Sequence, residues 1–498
     1  MRSVEIGKRH AGDLGGRLRD PGSGAKVTIA VSENVAHFPS TQHLVWMLVN
    51  LLARQPKEVR EIVLSVPAKT RLATDVSPLV DRSDTLVDAF AAAARRINPT
   101  VFDPCVDAIA EVFVRVGPGE MESAEFTIAA SADRWSGYVG STPVGLTDSP
   151  NPVGAYVGAS LVVGELFKYL RNVQPDETEF PKSLWLNAFT LELSETKIDS
   201  PDLWEETLLP TTTLAGVGAV GSAFLQTVYT FPGCMGSLSI IDGDEQGVTA
   251  SNLNRYVLFD VRHVRELHMK ASTAAMYFKD HAVNVSPYDE SWQTAYERRA
   301  IPVEEFVISA VDRNKARHAI QDSMPRLILG ASTNELKLQV NLYDVYDPAS
   351  VCLRCRNRVE VEGLPDDVIV ARLAELSVEE LVEVAARMGV TLESLKLYIE
   401  NPKVYCGKIS GSSLEKFAQS KDEGEWSVGF VSFLAGVLLS AEYLKHIHSV
   451  GLRMTTSKNQ YVFQFWRPAS VRANRLTSQP PEATCLCRSA FYQNAIAS

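Results

Sequence analysis

Apolar and polar positions alternate along this chain in two rhythms. Short apolar runs of strand length are separated by stretches in which apolar residues recur every three or four positions, the spacing of one helix face. Val27–Val31 (V-T-I-A-V) and Glu61–Val66 read as strands, and Thr41–Arg54 and the alanine-rich Asp84–Ile97 as helices. Two further strands fall near Glu111–Val116 and Glu125–Ala130. A helix of small and apolar residues starts after Pro152, and Trp185–Leu193 reads as a strand leading into the second half. There the rhythm resumes, with strands at Ser237–Ile241, Glu305–Ala310, Lys337–Tyr343 and Gln460–Trp466, and an apolar helix over Ser427–His446. Such alternation predicts an α/β protein with mostly parallel, doubly wound sheets. One stretch breaks the pattern. Over Glu360–Asn401 acidic residues punctuate apolar ones at helical spacing, which predicts short amphipathic helices inserted into the fold.

Length and composition set bounds on this picture. At 498 residues two or three domains are expected. Apolar residues make up 45% and charged residues 22%, the balance of a globular protein. The formal charge of −11 argues against broad nucleic-acid binding, which needs a clustered basic face. No apolar run of about 18 residues is free of charge, so no membrane span is expected. Met1–Ala25 is rich in Gly, Arg and Asp and lacks an apolar core, which predicts a flexible start and no secretory signal. Seven cysteines are too few for a disulfide scaffold and suit a reducing compartment, so a cytoplasmic location is expected.

The densest signal lies between Thr213 and Arg255. An apolar strand runs into Gly216, Gly218 and Gly221, a helix follows, and the next strand ends on Asp242. Glycines between strand and helix let backbone N–H groups approach a phosphate, and an acid closing the next strand suits a ribose hydroxyl. Alone this says only that a nucleotide binds. A NAD-dependent oxidoreductase would explain it equally well. The first half has no such loop: its first strand is followed by S-E-N-V-A-H-F-P.

The continuation I-D-G-D, then S-N-L-N-R over Ser251–Arg255, resembles the adenylation domain of ubiquitin-activating (E1) enzymes and their bacterial ThiF and MoeB relatives. The resemblance covers roughly Thr211–Trp466. It implies binding of Mg²⁺ and ATP and adenylation of a protein's C-terminal glycine. Gly216, Gly218 and Gly221 match the loop, Asp242 the ribose acid, and Asp244 the second acid of a D-x-D pattern. Asn252 and Arg255 match the phosphate contacts. Lys270 matches a helix lysine, with Lys279 the weaker choice because the usual G-x-x-K is absent. Asp312, in D-R-N-K-A-R, matches a magnesium-associated acid with Arg317 at the arginine position and Arg313 in place of an asparagine. A plain helix N-cap is the other reading of Asp312.

Cys352 and Cys355 (C-L-R-C) have zinc-ligand spacing, and Cys485 and Cys487 (C-L-C) would complete a four-thiolate Zn²⁺ site. Cys234 and Cys105 read as buried apolar thiols. Cys406, beside Lys408 in V-Y-C-G-K, falls where the resemblance places a crossover loop with a thioester-forming cysteine. The expected organisation is a flexible 1–26, an inactive adenylation-like Rossmann domain over 27–205, and an active one over 206–358 and 425–470. Between them lie the helical insertion and crossover loop, 359–424, and the cysteine-bearing tail is 471–498. The implied partners are a ubiquitin-like protein ending in glycine and an E2-like conjugating enzyme, with the chain a monomer or homodimer. No motif marks which arginine of the first half, if any, reaches ATP. Adenylation of a sulfur carrier protein is the alternative within the same chemistry.

Overall fold

The computed structural model describes residues 24–82, 85–102, 111–173, 183–303, 305–357, 370–371, 373–388, 391–400, 428–451, 458–465 and 474–497. Its first sheet is built from β1 (Ala25–Val31), β2 (Val59–Ser65), β3 (Val112–Val116), β4 (Phe126–Asp133), β5 (Ser136–Gly140), β6 (Ser183–Asn187) and β7 (Glu192–Ser194). The second is built from β8 (Thr207–Ala215), β9 (Cys234–Ile241), β10 (Val283–Tyr288), β11 (Phe306–Ser309), β12 (Leu327–Asn334), β13 (Lys337–Asp344), β14 (Gln460–Gln464) and β15 (Asn474–Thr477). The strand orders are β2-β1-β3-β4-β5-β6-β7 and β10-β9-β8-β11-β12-β13-β14-β15. Among the described residues the first sheet repeats the second strand for strand, except for a counterpart of β10. The expected α/β class is met, with two sheets.

The helices are α1 (Pro39–Ala53), α2 (Leu86–Ile97), α3 (Pro152–Leu170), α4 (Ala219–Thr230), α5 (Val261–Arg265), α6 (Lys270–Met276) and α7 (Trp292–Glu297). They continue with α8 (Asn314–Asp322), α9 (Leu353–Arg356), α10 (Val378–Met388), α11 (Leu392–Glu400), α12 (Gly429–Ile447) and α13 (Ala490–Ala497).

Each sheet is parallel up to β4 or β12 and antiparallel beyond. The sheets are therefore less parallel than the alternation implied. The reversals are two-residue hairpins, Arg134–Trp135 and Glu335–Leu336, and in both the first loop residue has positive φ (50° and 52°). Neither loop contains the glycine or asparagine that usually marks such a turn. The strand expected over Trp185–Leu193 is instead two strands. The Asn187 side-chain oxygen accepts from the N–H groups of Phe189 (2.7 Å) and Thr190 (2.9 Å), which turns the backbone out of the ladder.

The halves meet through helices. α1 lies on α3, α4 on α12, and α3 on α12, and side chains of both halves form one continuous apolar cluster. α3 and α12 are both 19 residues long with mean hydropathy 1.3, enough by length and composition to cross a membrane. Both are core helices here, with 89% and 94% of their most apolar stretch buried. Each also holds an internal ion pair at the same position, Glu165–Lys168 (2.7 Å) and Glu442–Lys445 (2.6 Å). Helices α10 and α11 of the insertion pack on each other around Leu373, Leu381, Ala385 and Leu395. In the tail β15 pairs with β14, and α13 follows the second cysteine pair.

Candidate nucleotide site and a converging thiol group

At the end of β8 the three glycines have different reasons to be glycine. Gly216 has φ +93°, and a Cβ there would stand 2.7 Å from the Ala310 carbonyl oxygen. A Cβ on Gly221 would collide with the Gly216 carbonyl. Chain packing demands both. Gly218 caps α4 with ordinary negative φ (−80°), and a Cβ there would meet only the Tyr256 side chain, at 3.4 Å or more. The fold does not require glycine at 218. Its bare backbone leaves an open face at a helix N-terminus, where the N–H groups are unsatisfied by the helix itself.

Asp242 leaves β9 beside this loop. One carboxylate oxygen accepts from the Val217 N–H (2.8 Å) and the other from the Asp244 N–H (3.1 Å). Lys270, the first residue of α6, is 4% exposed. It pairs closely with Asp244 and stands 3.8 Å from Asp242. Burial holds the Asp242 carboxyl above its ordinary value, with Lys270 and the two backbone donors working against the rise. Burial also pushes Asp244 up, but its close hydrogen bond and charge contact with Lys270 outweigh this, and the net displacement is downward. The Lys270 amine is desolvated too, yet Tyr256 and the two aspartates leave it above its usual value. Lys279 lies exposed beyond the end of α6, away from this pair of acids.

The S-N-L-N-R turn lies beside the glycine loop, with the Tyr256 hydroxyl 3.4 Å from where a Cβ on Gly218 would stand. Asn252 spends its side-chain oxygen on the Thr249 N–H (2.9 Å) and hydroxyl (3.0 Å), capping the short 3₁₀ turn Ala250–Asn252. Arg255 donates from one terminal nitrogen to the Ser251 carbonyl and the Asn254 side chain, both at 2.8 Å. Its guanidinium carbon is 5.2 Å from the centre of the Tyr256 ring, and the Lys270 ammonium is 5.6 Å from the same ring. Tyr256 thus gathers two cations at the open face of Gly218, held in part by ring–cation attraction. Sequence reading did not single out Tyr256; its only signal was an aromatic directly after S-N-L-N-R.

Asp312 is exposed three residues beyond β11. Register pairs Ser309 with Ala215, so Asp312 leaves the same sheet edge as the glycine loop. It is not the helix cap of the plainer reading, because Arg313 occupies the N-cap of α8. Arg317 is turned toward the thiols instead, donating to Asn314 (2.7 Å) and Asn357 (3.0 Å).

From the first half comes Arg54, fully buried at the end of α1. Its Nη1 donates to the Leu253 carbonyl (2.6 Å), and its Nη2 to those of Val257 (3.2 Å) and Phe259 (2.9 Å). Burial lowers the guanidinium from its ordinary value, and Asp260 and Tyr277 oppose the fall. An arginine after L-V-N-L-L-A reads in sequence only as a charged helix end.

A second group forms where α9 meets the tail. The sulfur of Cys352 is 3.6 Å from that of Cys355 and 3.7 Å from that of Cys485, and Cys355 is 3.7 Å from Cys487. All four lie within 4.8 Å of one another and can hold a metal ion. These separations are far beyond a disulfide bond of about 2.05 Å. The Glu482 N–H points at the Cys355 sulfur (3.4 Å), and the Arg488 side chain donates to the Pro348 carbonyl (2.8 Å), so the tail is also tied by a backbone N–H and a guanidinium. Cys234 is buried as expected, and burial pushes its thiol up to about 12. Cys105, Cys406 and Lys408 lie outside the described residues.

The sequence profile of the ThiF family matches residues 210–487, which contain both groups. The chain belongs to the ThiF family. This assigns the second half to the E1-like adenylyltransferases, with a Rossmann-like fold. A ThiF-family chain of this length also has a Sinorhizobium fredii relative, described as uncharacterized protein y4jF. The two are 25% identical over 441 residues, covering 83% of this chain and 82% of the relative. Among solved structures, E. coli MccB with ATP is 13% identical with a TM-score of 0.36. The match covers 57% of this chain and 66% of MccB, so the chain spans just under two thirds of that protein. The Microcin C7 biosynthetic enzyme MccB with N-formylated MccA gives 12% identity and a TM-score of 0.37, covering 57% and 67% of the two chains.

Proposed function

We propose that this ThiF-family chain uses Mg²⁺ and ATP to activate the C-terminal glycine of a ubiquitin-like protein, first as an adenylate and then as a thioester on Cys406. The observation that carries the reading is the open face of Gly218, which the fold does not need and onto which Lys270 and Arg255 converge over Tyr256. Two cations beside the N-terminus of α4, whose first N–H groups the helix leaves unsatisfied, suit a triphosphate. Asp242 suits the ribose, and Asp312, exposed at the same sheet edge, suits the magnesium that accompanies ATP.

In the first step a carboxylate oxygen of the protein substrate attacks the α-phosphorus. An O–P bond forms, the bond to the bridging β-oxygen breaks, and pyrophosphate leaves. Lys270 and Arg255 hold the charge that builds on the phosphates. In the second step the Cys406 thiolate attacks the acyl carbon, a C–S bond forms, and AMP leaves. The start of α12 packs against the turn that carries Arg255: a Cβ on Gly429 would stand 2.7 Å from the Asn254 carbonyl oxygen. Transfer to an E2-like enzyme would follow.

The four thiols fit Zn²⁺. Thiolates at about 2.3 Å from a tetrahedral zinc stand about 3.8 Å apart, close to the observed 3.6–3.7 Å. Cys352, Cys355, Cys485 and Cys487 would hold it, and its role would be to fasten the tail.

The full chain, mixed with Mg-ATP and a candidate ubiquitin-like protein, is expected to give a thiol-sensitive adduct. Cys406→Ala should abolish the adduct and keep pyrophosphate release. An adduct that survives the substitution removes Cys406 from the scheme, and absence of ATP-dependent pyrophosphate release removes adenylation.

A further inference from the structure

The turn that carries Arg255 and Tyr256 has no regular structure between Asn252 and Asp260, yet Leu253, Asn254, Val257, Leu258 and Phe259 are all buried. Buried carbonyls outside a helix or sheet need donors from elsewhere. For three of them the donor is one side chain from the other half of the molecule. Arg54 bonds Leu253 on one side of Arg255–Tyr256 and Val257 and Phe259 on the other. Its remaining Nε is held by the Asn50 side-chain oxygen at 2.7 Å, and Asn50 in turn donates to the Val257 carbonyl (3.2 Å). Asn50 sits one turn earlier on α1, so the fork is aimed before it meets the loop.

We infer that Arg54 is a positioning residue for the nucleotide site, an inference that rests on the ATP reading above. It brackets Arg255 and Tyr256 from both sides, setting where the Arg255 guanidinium and the Tyr256 ring stand relative to Gly218, and touches no ligand itself. The planar fork is what allows one residue to serve carbonyls on both sides of the bracketed pair; an ammonium group has neither that geometry nor that span. The first half thus contributes to the site by holding one of its walls.

The inference separates from simple adhesion between the halves by comparison with another buried contact across the same interface. Tyr156 of α3 accepts from the Gln226 amide (2.8 Å) and bonds Thr230 (2.9 Å), far from the turn. In the full-length protein, ATP affinity by calorimetry and thermal unfolding are measured for the wild type, Arg54→Lys and Tyr156→Phe. Both variants should melt below the wild type. Only Arg54→Lys should weaken ATP binding, on the order of tenfold, and in pyrophosphate exchange the change should fall on KM for ATP while kcat stays within about threefold. Wild-type ATP affinity in Arg54→Lys, or an equal loss in Tyr156→Phe, overturns the inference and leaves the ATP reading standing. A wild type that does not bind ATP removes that reading, and the inference with it. Arg54→Met, which strands the Leu253 and Phe259 carbonyls and leaves Val257 only its bond from Asn50, serves only to show by its unfolding how much the anchor stabilises.

Discussion

In the second half the turn after the central strand is G-V-G-A-V-G, and the neighbouring strand runs out into Asp242. At the matching place in the first half β1 runs into S-E-N-V-A, and β2 runs out through Ser65 into Val66 and Pro67. The two places differ in space as well as in charge. Ser32 fills the gap in the first half by donating to the Val116 and Pro118 carbonyls, and Val35 packs so tightly that a Cβ on Gly117 would reach its methyl at 2.7 Å. The same order of strands therefore leaves a candidate site in one case and a closed seam in the other. Residues at strand ends decide which, and the scaffold does not. The seam has freed the first half to do something else, namely to send Arg54 across the interface.

Substitutions should separate these two uses of one scaffold. The largest effect is expected from Gly221→Ala, whose methyl would collide with the Gly216 carbonyl, at a cost of about 3 kcal/mol or more. The same change at Gly145 in the first half, where nothing lies within 4 Å, should stay within about 0.5 kcal/mol. Urea titrations of the two variants test this, and equal losses would undo the distinction between demanded and tolerated glycines. Next, Lys270→Met should weaken ATP binding by about a hundredfold and leave one binding event to be abolished. Calorimetry should find one nucleotide per chain in the wild type; two would mean that the first half is not closed. A smaller loss, about tenfold in ATP affinity with melting unchanged, is expected for Gly218→Ala. Unchanged affinity there would mean that its open face serves no ligand.

The smallest effect concerns pH. The Asp244 carboxyl is displaced downward on folding, so its contribution is present above its unfolded value near pH 4 and is lost as pH falls through the folded one. The Lys270 amine is displaced upward, so its contribution is full below about pH 10.4 and is lost as pH rises through the folded value. Asp242, held up by burial, acts in the opposite sense on acidification, since the folded state takes up its proton first. Melting temperatures of the wild type and Lys270→Met should differ by a constant amount between about pH 5 and 9 and converge outside. A difference that drifts within that window would show that the pair is not what Lys270 contributes.

Residues whose meaning is local were legible in the sequence. The glycine spacing, Asp242 at a strand end and Lys270 at a helix start need only neighbours along the chain to be read, and the structure brings them together. Tyr256 and Arg54 act across distance, one by drawing Lys270 of α6 to its ring beside Arg255 and the other from another half, and no spacing announces that. The plainer reading of Asp312 as a helix cap fails because α8 begins at Asn314 and Arg313 takes the N-cap. The hairpins at Arg134–Trp135 and Glu335–Leu336 left no glycine to betray them, so the antiparallel edges were missed in both halves. The cysteines sit between these cases. Each pair was visible by spacing, but their meeting depends on β14 and β15 returning the tail to α9, which a period in the sequence does not encode.

The pairing of α3 with α12 has a consequence for how the protein is made. A ribosome completes α3 about 260 residues before it begins α12. At about 5–20 residues per second this leaves a membrane-grade apolar helix without its partner for more than ten seconds. Until then α3 is covered by α1, β4 and β5 alone among its main packing partners, so the interface between the halves is the last part of the core to close.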